Sequence, residues 1–192
     1  MKAVYNLLFL LVIASCSSEN IDLSKWSAFE LKAMEKKGWH YAERLDAEGN
    51  LVESGYLLNG KKNGLWVEYH SNSDFPKIVA NYVDGDFQGP FFEYNLQGQI
   101  SQIAHYEKNL LEGKWTSFRF SRPVIEANYK NGKLSGPYKE YDFRNGKIQK
   151  EANFENGLED GLFRFYNETG DITMEYHYKK GERISGGIVN QE

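Results

Sequence analysis

The protein has 192 residues, of which 41% are apolar and 15% aromatic, and its formal net charge is −4 at neutral pH. This length suits one ordinary domain or one modest repeat array, and 4 prolines are too few for a disordered proline-rich chain. Acidic residues (27) outnumber basic ones (23) and no long basic run is present, which argues against nucleic acid as a partner. The 18 glycines, 13 tyrosines and 12 phenylalanines favour strands and tight turns over a helical bundle.

The first part of the chain, residues 1–15, is predicted to be an export signal. After a positively charged start, residues 7–14 form an apolar run that fits a signal-peptide core and is too short to cross a bilayer as a helix. The run ends in the sequence Ile-Ala-Ser-Cys, which resembles the bacterial lipobox. That resemblance implies lipid attachment at Cys16, cleavage before it, and anchoring of the protein to a membrane of the cell envelope. By the same resemblance, Ser17 favours the outer membrane if the cell is Gram-negative.

A short tether and a helix are predicted to follow the lipid site. Residues 16–22 are polar, and residues 23–37 are predicted to form one short helix that Asp22 can cap and Gly38 can end. Its apolar face would consist of Leu23, Trp26, Phe29, Ala33 and Met34.

From residue 38 to residue 184 the sequence repeats with a period of 23 to 25 residues. Two turn positions, four residues apart, mark each repeat. The first turn position is occupied by Gly60, Gly85, Asn109, Gly132 and Gly157, and the second by Gly64, Gly89, Gly113, Gly136 and Gly161. Asn109 fits this scheme because asparagine tolerates the left-handed backbone region best among non-glycine residues. Asn-Gly and Asp-Gly pairs at the first position predict two-residue hairpin turns.

An aromatic residue follows the second glycine of each repeat at position +2, and another follows at position +5. The pairs are Trp66 and Tyr69, Phe91 and Tyr94, Trp115 and Phe118, Tyr138 and Tyr141, and Phe163 and Tyr166. Most of these rings are expected to pack in the core. The two positions have opposite parity on an ideal strand, so unless a bulge intervenes one ring of each pair faces away from the other. In a single-layer sheet one row would then be exposed and available for recognition.

The second strand of each repeat alternates with period two. It ends in segments such as Ala80-Asn81-Tyr82 and Ala127-Asn128-Tyr129, with an isoleucine further back on the parity of the alanine. One unit is therefore strand, turn, strand, turn. The predicted fold is all-β, an elongated antiparallel meander of repeated β-hairpins, with residues 185–192 left as a C-terminal tail.

This pattern, Tyr-x-x-Gly-x-x-x-Gly-x-aromatic-x-x-Tyr over about residues 50–184, resembles the MORN repeat in its bacterial variant form. It is similar to the YwqK-type antitoxin proteins. The resemblance implies an interaction module, with protein or membrane contacts. The export signal departs from the cytosolic antitoxin pattern.

Residues typical of catalytic and metal sites do not form a recognisable pattern in this sequence. The four histidines, His40, His70, His105 and His177, lack metal-ligand spacing, and no cofactor motif is present. His105 and His177 stand where other repeats have asparagine, as outward-facing strand residues. Three acids at one repeat position, Glu68, Glu93 and Glu140, are interpreted as a solvated row rather than as paired catalytic carboxylates. The protein is therefore predicted not to be an enzyme.

Three functions remain open from the sequence. The first is a membrane-anchored envelope scaffold that binds a protein partner through the repeat surface. The second is an antitoxin or immunity protein of the YwqK kind that neutralises a toxin. The third is a glycan-binding module, because aromatic rows on sheets can stack on sugars.

Overall fold

The computed structural model describes residues 21–71 and 73–189, and in these residues the chain forms one open antiparallel β-meander. The predicted fold class is thus confirmed. One 3-10 helix, Ser24–Trp26, precedes the 17 strands of the described residues. The strands are β1 (Glu30–Ala33), β2 (Trp39–Leu45), β3 (Leu51–Leu58), β4 (Lys61–Tyr69), β5 (Pro76–Val83), β6 (Asp86–Tyr94), β7 (Ile100–Glu107), β8 (Leu110–Leu111), β9 (Gly113–Arg119), β10 (Arg122–Lys130), β11 (Lys133–Leu134), β12 (Gly136–Tyr141), β13 (Ile148–Glu155), β14 (Leu158–Glu159), β15 (Gly161–Tyr166), β16 (Ile172–Lys179) and β17 (Glu182–Ile188).

The strands pair in chain order. The two-residue strands β8, β11 and β14 are the first parts of longer strands, since β8 and β9 both pair with β7, β11 and β12 with β10, and β14 and β15 with β13. Among the described residues, extensive contacts join only elements that are neighbours in this ladder. The sheet is therefore a single layer, and the N-terminal segment packs on part of one face.

The helix predicted over residues 23–37 is reduced to the 3-10 helix Ser24–Trp26, and β1 replaces its later part. Phe29 and Leu31 are spaced by two, and both pack against the core cluster of the sheet. Strand β1 also pairs with β2, with Leu31 opposite Ala42. Pairing with an otherwise open edge satisfies the backbone of this segment and buries its apolar side chains, which outweighs its weak helical propensity.

The sheet extends past both predicted ends of the repeat array. Strand β1 precedes residue 38, and β17 continues beyond residue 184 to Ile188. Residues 185–188, predicted to lie in a tail, pair with β16. The pairing continues because an unfinished hairpin would leave the hydrogen-bonding groups of β16 unmatched.

The ten turn positions of the repeats all have positive φ. In the first hairpin turn both central residues are left-handed, Asn59 with φ 51° and Gly60 with φ 76°, as a type I′ turn requires. Asn109 occupies the equivalent site with φ 66°. Its side chain also holds the neighbouring turn, because Asn109 Oδ1 accepts the backbone N–H of Phe87 at 2.7 Å.

The +2 and +5 aromatics lie on opposite faces of the sheet. Register shifts do occur beside the +5 residues, but the extra residue is in the partner strand. Glu68 is opposite Ile78 and Tyr69 is opposite Pro76, so Lys77 is the residue without a partner in register. The parity of the aromatic strand is therefore kept. We name the two faces by these rows. The tryptophan face carries Trp66, Phe91, Trp115, Tyr138 and Phe163, and the tyrosine face carries Tyr69, Tyr94, Phe118, Tyr141 and Tyr166.

The core lies on the tryptophan face, where small and large residues alternate across strands. Trp66 is opposite both Gly55 and Ala80, and Ala80 is in turn opposite Phe91. Trp26 covers the start of this row, 5.6 Å from Trp66 between ring centroids. Its indole N–H donates to the carbonyl of Gly60 at 2.9 Å. The N-terminal segment thus caps the first end of the array.

Candidate interaction surface

One row of side chains crosses the whole tyrosine face. Strand register places its members directly opposite one another from β2 to β16. They are Glu43, Ser54, Val67, Val79, Phe92, Ile103, Thr116, Glu126, Lys139, Glu151, Arg164 and Glu175. The row is apolar from Val67 to Ile103 and then alternates in charge from Glu126 to Glu175. The face therefore has an apolar half and a charged half.

Ion pairs run across neighbouring strands in the charged half. Three of them are Lys114–Glu126 at 2.6 Å, Lys139–Glu151 at 2.9 Å and Arg164–Glu175 at 2.7 Å. Two of the +5 tyrosines join this network, since the hydroxyl of Tyr141 donates to Glu126 at 2.8 Å and that of Tyr166 to Glu151 at 2.6 Å. Charges of both signs are thus held in fixed positions.

These contacts lower the pKa values of the two acids and raise that of a tyrosine bonded to one of them. The hydrogen bond from Lys114, with that from Tyr141, lowers the pKa of Glu126 below its ordinary value. Hydrogen bonds from Tyr166 and Lys139 lower the pKa of Glu151. Burial, together with the hydrogen bond to Glu126, raises the pKa of Tyr141 to about 12. At neutral pH the carboxylates are charged and the phenol is neutral.

Exposed apolar side chains occur on the tyrosine face in several repeats. Leu65, Val83, Leu110, Leu158 and Leu162 expose between 42% and 52% of their surface. None of these five residues was predicted from the sequence, because the repeat pattern is carried by glycine and aromatic positions. Strand parity is the signal that could have found them: each lies an odd number of residues from a neighbouring core aromatic, as Leu65 does from Trp66 and Val83 from Tyr82.

The ten aromatic residues predicted at the +2 and +5 positions are all buried or half-buried. On the tryptophan face Trp66, Phe91 and Phe163 are buried, while Trp115 and Tyr138 are half-buried. All five rings of the tyrosine face are half-buried. Neither row is therefore wholly exposed, and the five aliphatic side chains are more accessible than any of these ten rings.

Asparagine side chains on the alternating strands stabilise the neighbouring bulges. Asn81 donates to the carbonyl of Gln88 at 2.8 Å and Asn153 to that of Asp160 at 2.7 Å, in each case just before a bulge glycine. These side chains satisfy carbonyls that the bulge removes from the ladder. His105 and His177 are exposed at the equivalent positions. In the described part of the chain, no cluster of three histidine, cysteine or acidic residues could hold a metal ion.

The three acids at one repeat position lie on the tryptophan face. Ile78 is opposite both Glu68 and Glu93, so it separates these two carboxylates by one strand. Glu140 accepts hydrogen bonds from Lys150 at 3.0 Å and from the Tyr138 hydroxyl at 2.9 Å. The described contacts of Glu140 are therefore those of a residue that stabilises the sheet.

The predicted signal peptide, Cys16 and Ser17 lie outside the described residues. Within residues 21–71 and 73–189, no helix has the length and apolar character needed to cross a membrane.

Comparisons with known proteins do not place the chain in a family. No family model matches the sequence, and no curated protein is significantly similar to it. Among solved structures, a mutant of S. aureus TarM in complex with fondaparinux, alpha-GlcNAc-glycerol and UDP aligns with a TM-score of 0.31 and 9% identity over 71% of this chain. The GtfA/B complex aligns with a TM-score of 0.27 and 14% identity over 55% of this chain. The aligned regions span only 22% and 18% of those two chains, and TM-scores this low do not inform function.

Proposed function

We propose that the protein is a lipid-anchored scaffold of the cell envelope that binds a protein partner through the tyrosine face. The observation that carries the proposal is the exposed aliphatic side chains that recur along this face. A flat surface that mixes apolar groups with fixed charges suits a broad protein contact, because protein interfaces combine an apolar centre with a polar rim. The exposed aliphatic side chains, which occur in both halves, supply the apolar contact, and the charged half supplies orientation.

The sequence supports the anchor through Cys16. Acyl chains on that residue and a tether of a few residues keep the repeat array close to the membrane. The partner is then another envelope protein. The single-layer sheet supports a binding role because, in the described residues, no second layer covers the tyrosine face.

The partner surface can be tested by mild crosslinking in cells followed by recovery of the protein. One repeat is altered in each of three variants, Leu65→Ser, Leu110→Ser and Leu162→Ser. Each variant is expected to give a partly reduced yield of one specific crosslinked partner, and the triple variant is expected to give the lowest yield. Leu96→Ser is the matched control, because Leu96 is 61% exposed but lies in a turn away from the face. If one variant abolishes the crosslink to the partner and the other two have no effect, the surface is not distributed over several repeats.

The anchor can be tested with Cys16→Ala. The variant should leave the membrane fraction or remain uncleaved, and it should no longer incorporate radiolabelled palmitate. Equal incorporation in the wild type and the variant contradicts lipid attachment at Cys16.

A further inference from the structure

A cleft lies at the edge of the sheet opposite the type I′ turns, between two successive turns and a tyrosine. Its volume is about 260 Å³. The first turn contributes Asp142, Asn145 and Lys147, the second Asn167 and Glu168, and Tyr166 forms a wall. The ring of Tyr166 is held in place because its hydroxyl donates to Glu151 at 2.6 Å. The wall of the cleft is therefore a fixed aromatic surface.

A second cleft occupies the same place in another repeat. It has a volume of about 610 Å³ and is lined by Asn50, Leu51, Tyr69, Ser73 and Asp74. Asn50, Leu51 and Tyr69 precede Lys147, Ile148 and Tyr166 by the same 97 residues, which is the distance from Gly64 to Gly161 and hence four repeats. The two clefts thus occupy the same place in two repeats and share a tyrosine wall, while their polar lining residues differ.

The equivalent positions in two intervening repeats are filled. Phe75 lies against the turn at Gly98, where a Cβ would come within 2.6 Å of the Phe75 ring. Further along, Phe120 and Phe143 pack with ring centroids 6.1 Å apart, and the Arg119 guanidinium lies 4.2 Å from the centre of the Phe143 ring. Open clefts are therefore not a general consequence of the repeat, because large side chains close the same place elsewhere.

The groups that line the clefts suit a neutral, polyhydroxylated ligand. The lining carries the amides of Asn145, Gln149 and Asn50 and the hydroxyl of Ser73. Each of these groups makes a hydrogen bond within the protein and keeps further donor or acceptor capacity for a ligand. The tyrosine rings can pack on the apolar face of a sugar. The charged residues that line the clefts are Asp142, Lys147 and Glu168 in the first and Asp74 in the second. Arg144 neutralises Asp142 at 2.6 Å, and the Lys147 ammonium donates to the carbonyl of Glu168 at 2.6 Å. Acidic residues outnumber basic ones in both linings, which disfavours a phosphate or carboxylate ligand.

We propose that the two clefts at Tyr69 and Tyr166 are equivalent binding sites for neutral sugar units of a polysaccharide. They are eight strand spacings apart along the sheet, about 38 Å at ordinary sheet spacing. A long glycan that reaches both sites binds more tightly than one that reaches a single site, by effective concentration. The sites lie at the turn edge, so this inference does not depend on a protein partner at the centre of the tyrosine face.

Calorimetric titration of the full chain in a detergent without sugar groups tests the inference. The probes are the neutral hexasaccharides of cellulose, chitin, starch and xylan, with hexagalacturonate as a charged comparison. We expect at least one neutral probe to bind with two sites per chain. Tyr69→Ala and Tyr166→Ala should each leave one site, and the double variant none, while Leu96→Ala on the same edge keeps two.

Two further variants keep the test independent of folding. Tyr166→Phe retains the ring but removes its hydrogen bond to Glu151, so both sites should remain, with the site at residue 166 at most weakened. Gln149→Ala removes an exposed side chain that donates to Asp142 at 3.4 Å, and it should weaken one site at least threefold. Circular dichroism checks the fold of each variant. The inference is overturned if no neutral hexasaccharide binds, if two sites persist in the Tyr69→Ala/Tyr166→Ala protein, or if hexagalacturonate alone binds. Each of these results leaves the proposed protein partner unaffected.

Discussion

Single residues set how closely the strands of the tryptophan face can pack. A Cβ added to Gly55 would lie 2.0 Å from the Cε3 atom of Trp66, whose side chain is 1% exposed. Trp66 cannot move away freely, because its indole N–H donates to Glu53 at 2.6 Å. Gly55 is therefore required by packing and not by backbone conformation, since it is not among the glycines with positive φ.

Gly55→Ala is expected to lower the free energy of unfolding by roughly 1–3 kcal/mol, the usual cost of overpacking a core. Gly187→Ala is the control, because no atom lies within 4 Å of the position its Cβ would take. Its effect should stay within about 0.5 kcal/mol. Urea titration followed by tryptophan fluorescence measures both, and equal effects would contradict the packing argument.

The turn glycines are required by backbone conformation and not by packing. Gly85 has a φ of 93° and its nearest neighbour to an added Cβ is 3.9 Å away, so only the backbone opposes a side chain there. Gly85→Val should cost about 1–2 kcal/mol, the strain of a left-handed L-residue. Gly85→Asn should cost distinctly less, as Asn109 at the equivalent position indicates. Gly132 is expected to show the same order, with a tighter site because a Cβ there would meet Leu110 at 3.3 Å. Thermal unfolding of the valine and asparagine variants tests the order, and equal losses would remove the backbone argument.

The sequence was most informative where the local backbone conformation restricts which residue can occupy a position. Asn109 and the repeat glycines could be placed because positive φ restricts residue choice within a few residues of the turn. Gly55 could not be recognised in this way. Its constraint comes from Trp66, on the next strand, and that pairing depends on a register that the sequence alone does not state.

At the scale of elements, the N-terminal segment shows how pairing outweighs local pattern. Trp26, Phe29 and Ala33 were predicted to lie on a ragged helical face, but the open edge of β2 draws residues 30–33 into a strand. The same limit applies to the candidate surface. Strand parity correctly separates the +2 and +5 aromatics, but exposure depends on neighbouring strands, so Leu65 and Leu162 were not predicted as the accessible groups.

The charged half of the tyrosine face should make stability depend on pH. The pKa values of Glu126 and Glu151 lie below the ordinary 4.5 because Lys114 donates to the first and Tyr166 to the second. Their stabilisation is fully present above the ordinary pKa and is lost as the pH falls through the lowered values. Each surface pair contributes roughly 0.2–1 kcal/mol.

Unfolding by urea at about pH 6 and at about pH 3 measures this dependence. The wild type should lose more stability between the two conditions than the Glu126→Gln/Glu151→Gln protein, whose glutamines do not titrate. At the lower pH the two proteins should converge. A pH dependence of the same size in both proteins would show that these pairs do not cause it.

The whole molecule behaves as a one-dimensional array. In the described residues, each strand has extensive contacts only with its neighbours in the ladder. Stability is then close to a sum of local terms, and a lost contact should open the strands beside it before distant ones. The N-terminal segment ends the array at one side by covering Trp66 with Trp26. At the other side, β17 pairs only with β16 and has a free edge in the described residues.

Trp26→Ala should therefore loosen the first strands and leave the last ones unchanged. The substitution removes a buried ring and the hydrogen bond to Gly60, and a tryptophan truncated in a core costs about 3–5 kcal/mol. Hydrogen exchange followed by mass spectrometry should show exchange at least about tenfold faster in β2–β4, with β13–β16 as in the wild type. Trp115→Ala is the matched comparison, since Trp115 packs on Tyr129 at 6.4 Å in the middle of the sheet. It should speed exchange in β9 and β10. If both variants accelerate exchange equally in every strand, the sheet unfolds as one cooperative unit and the description as a one-dimensional array is wrong.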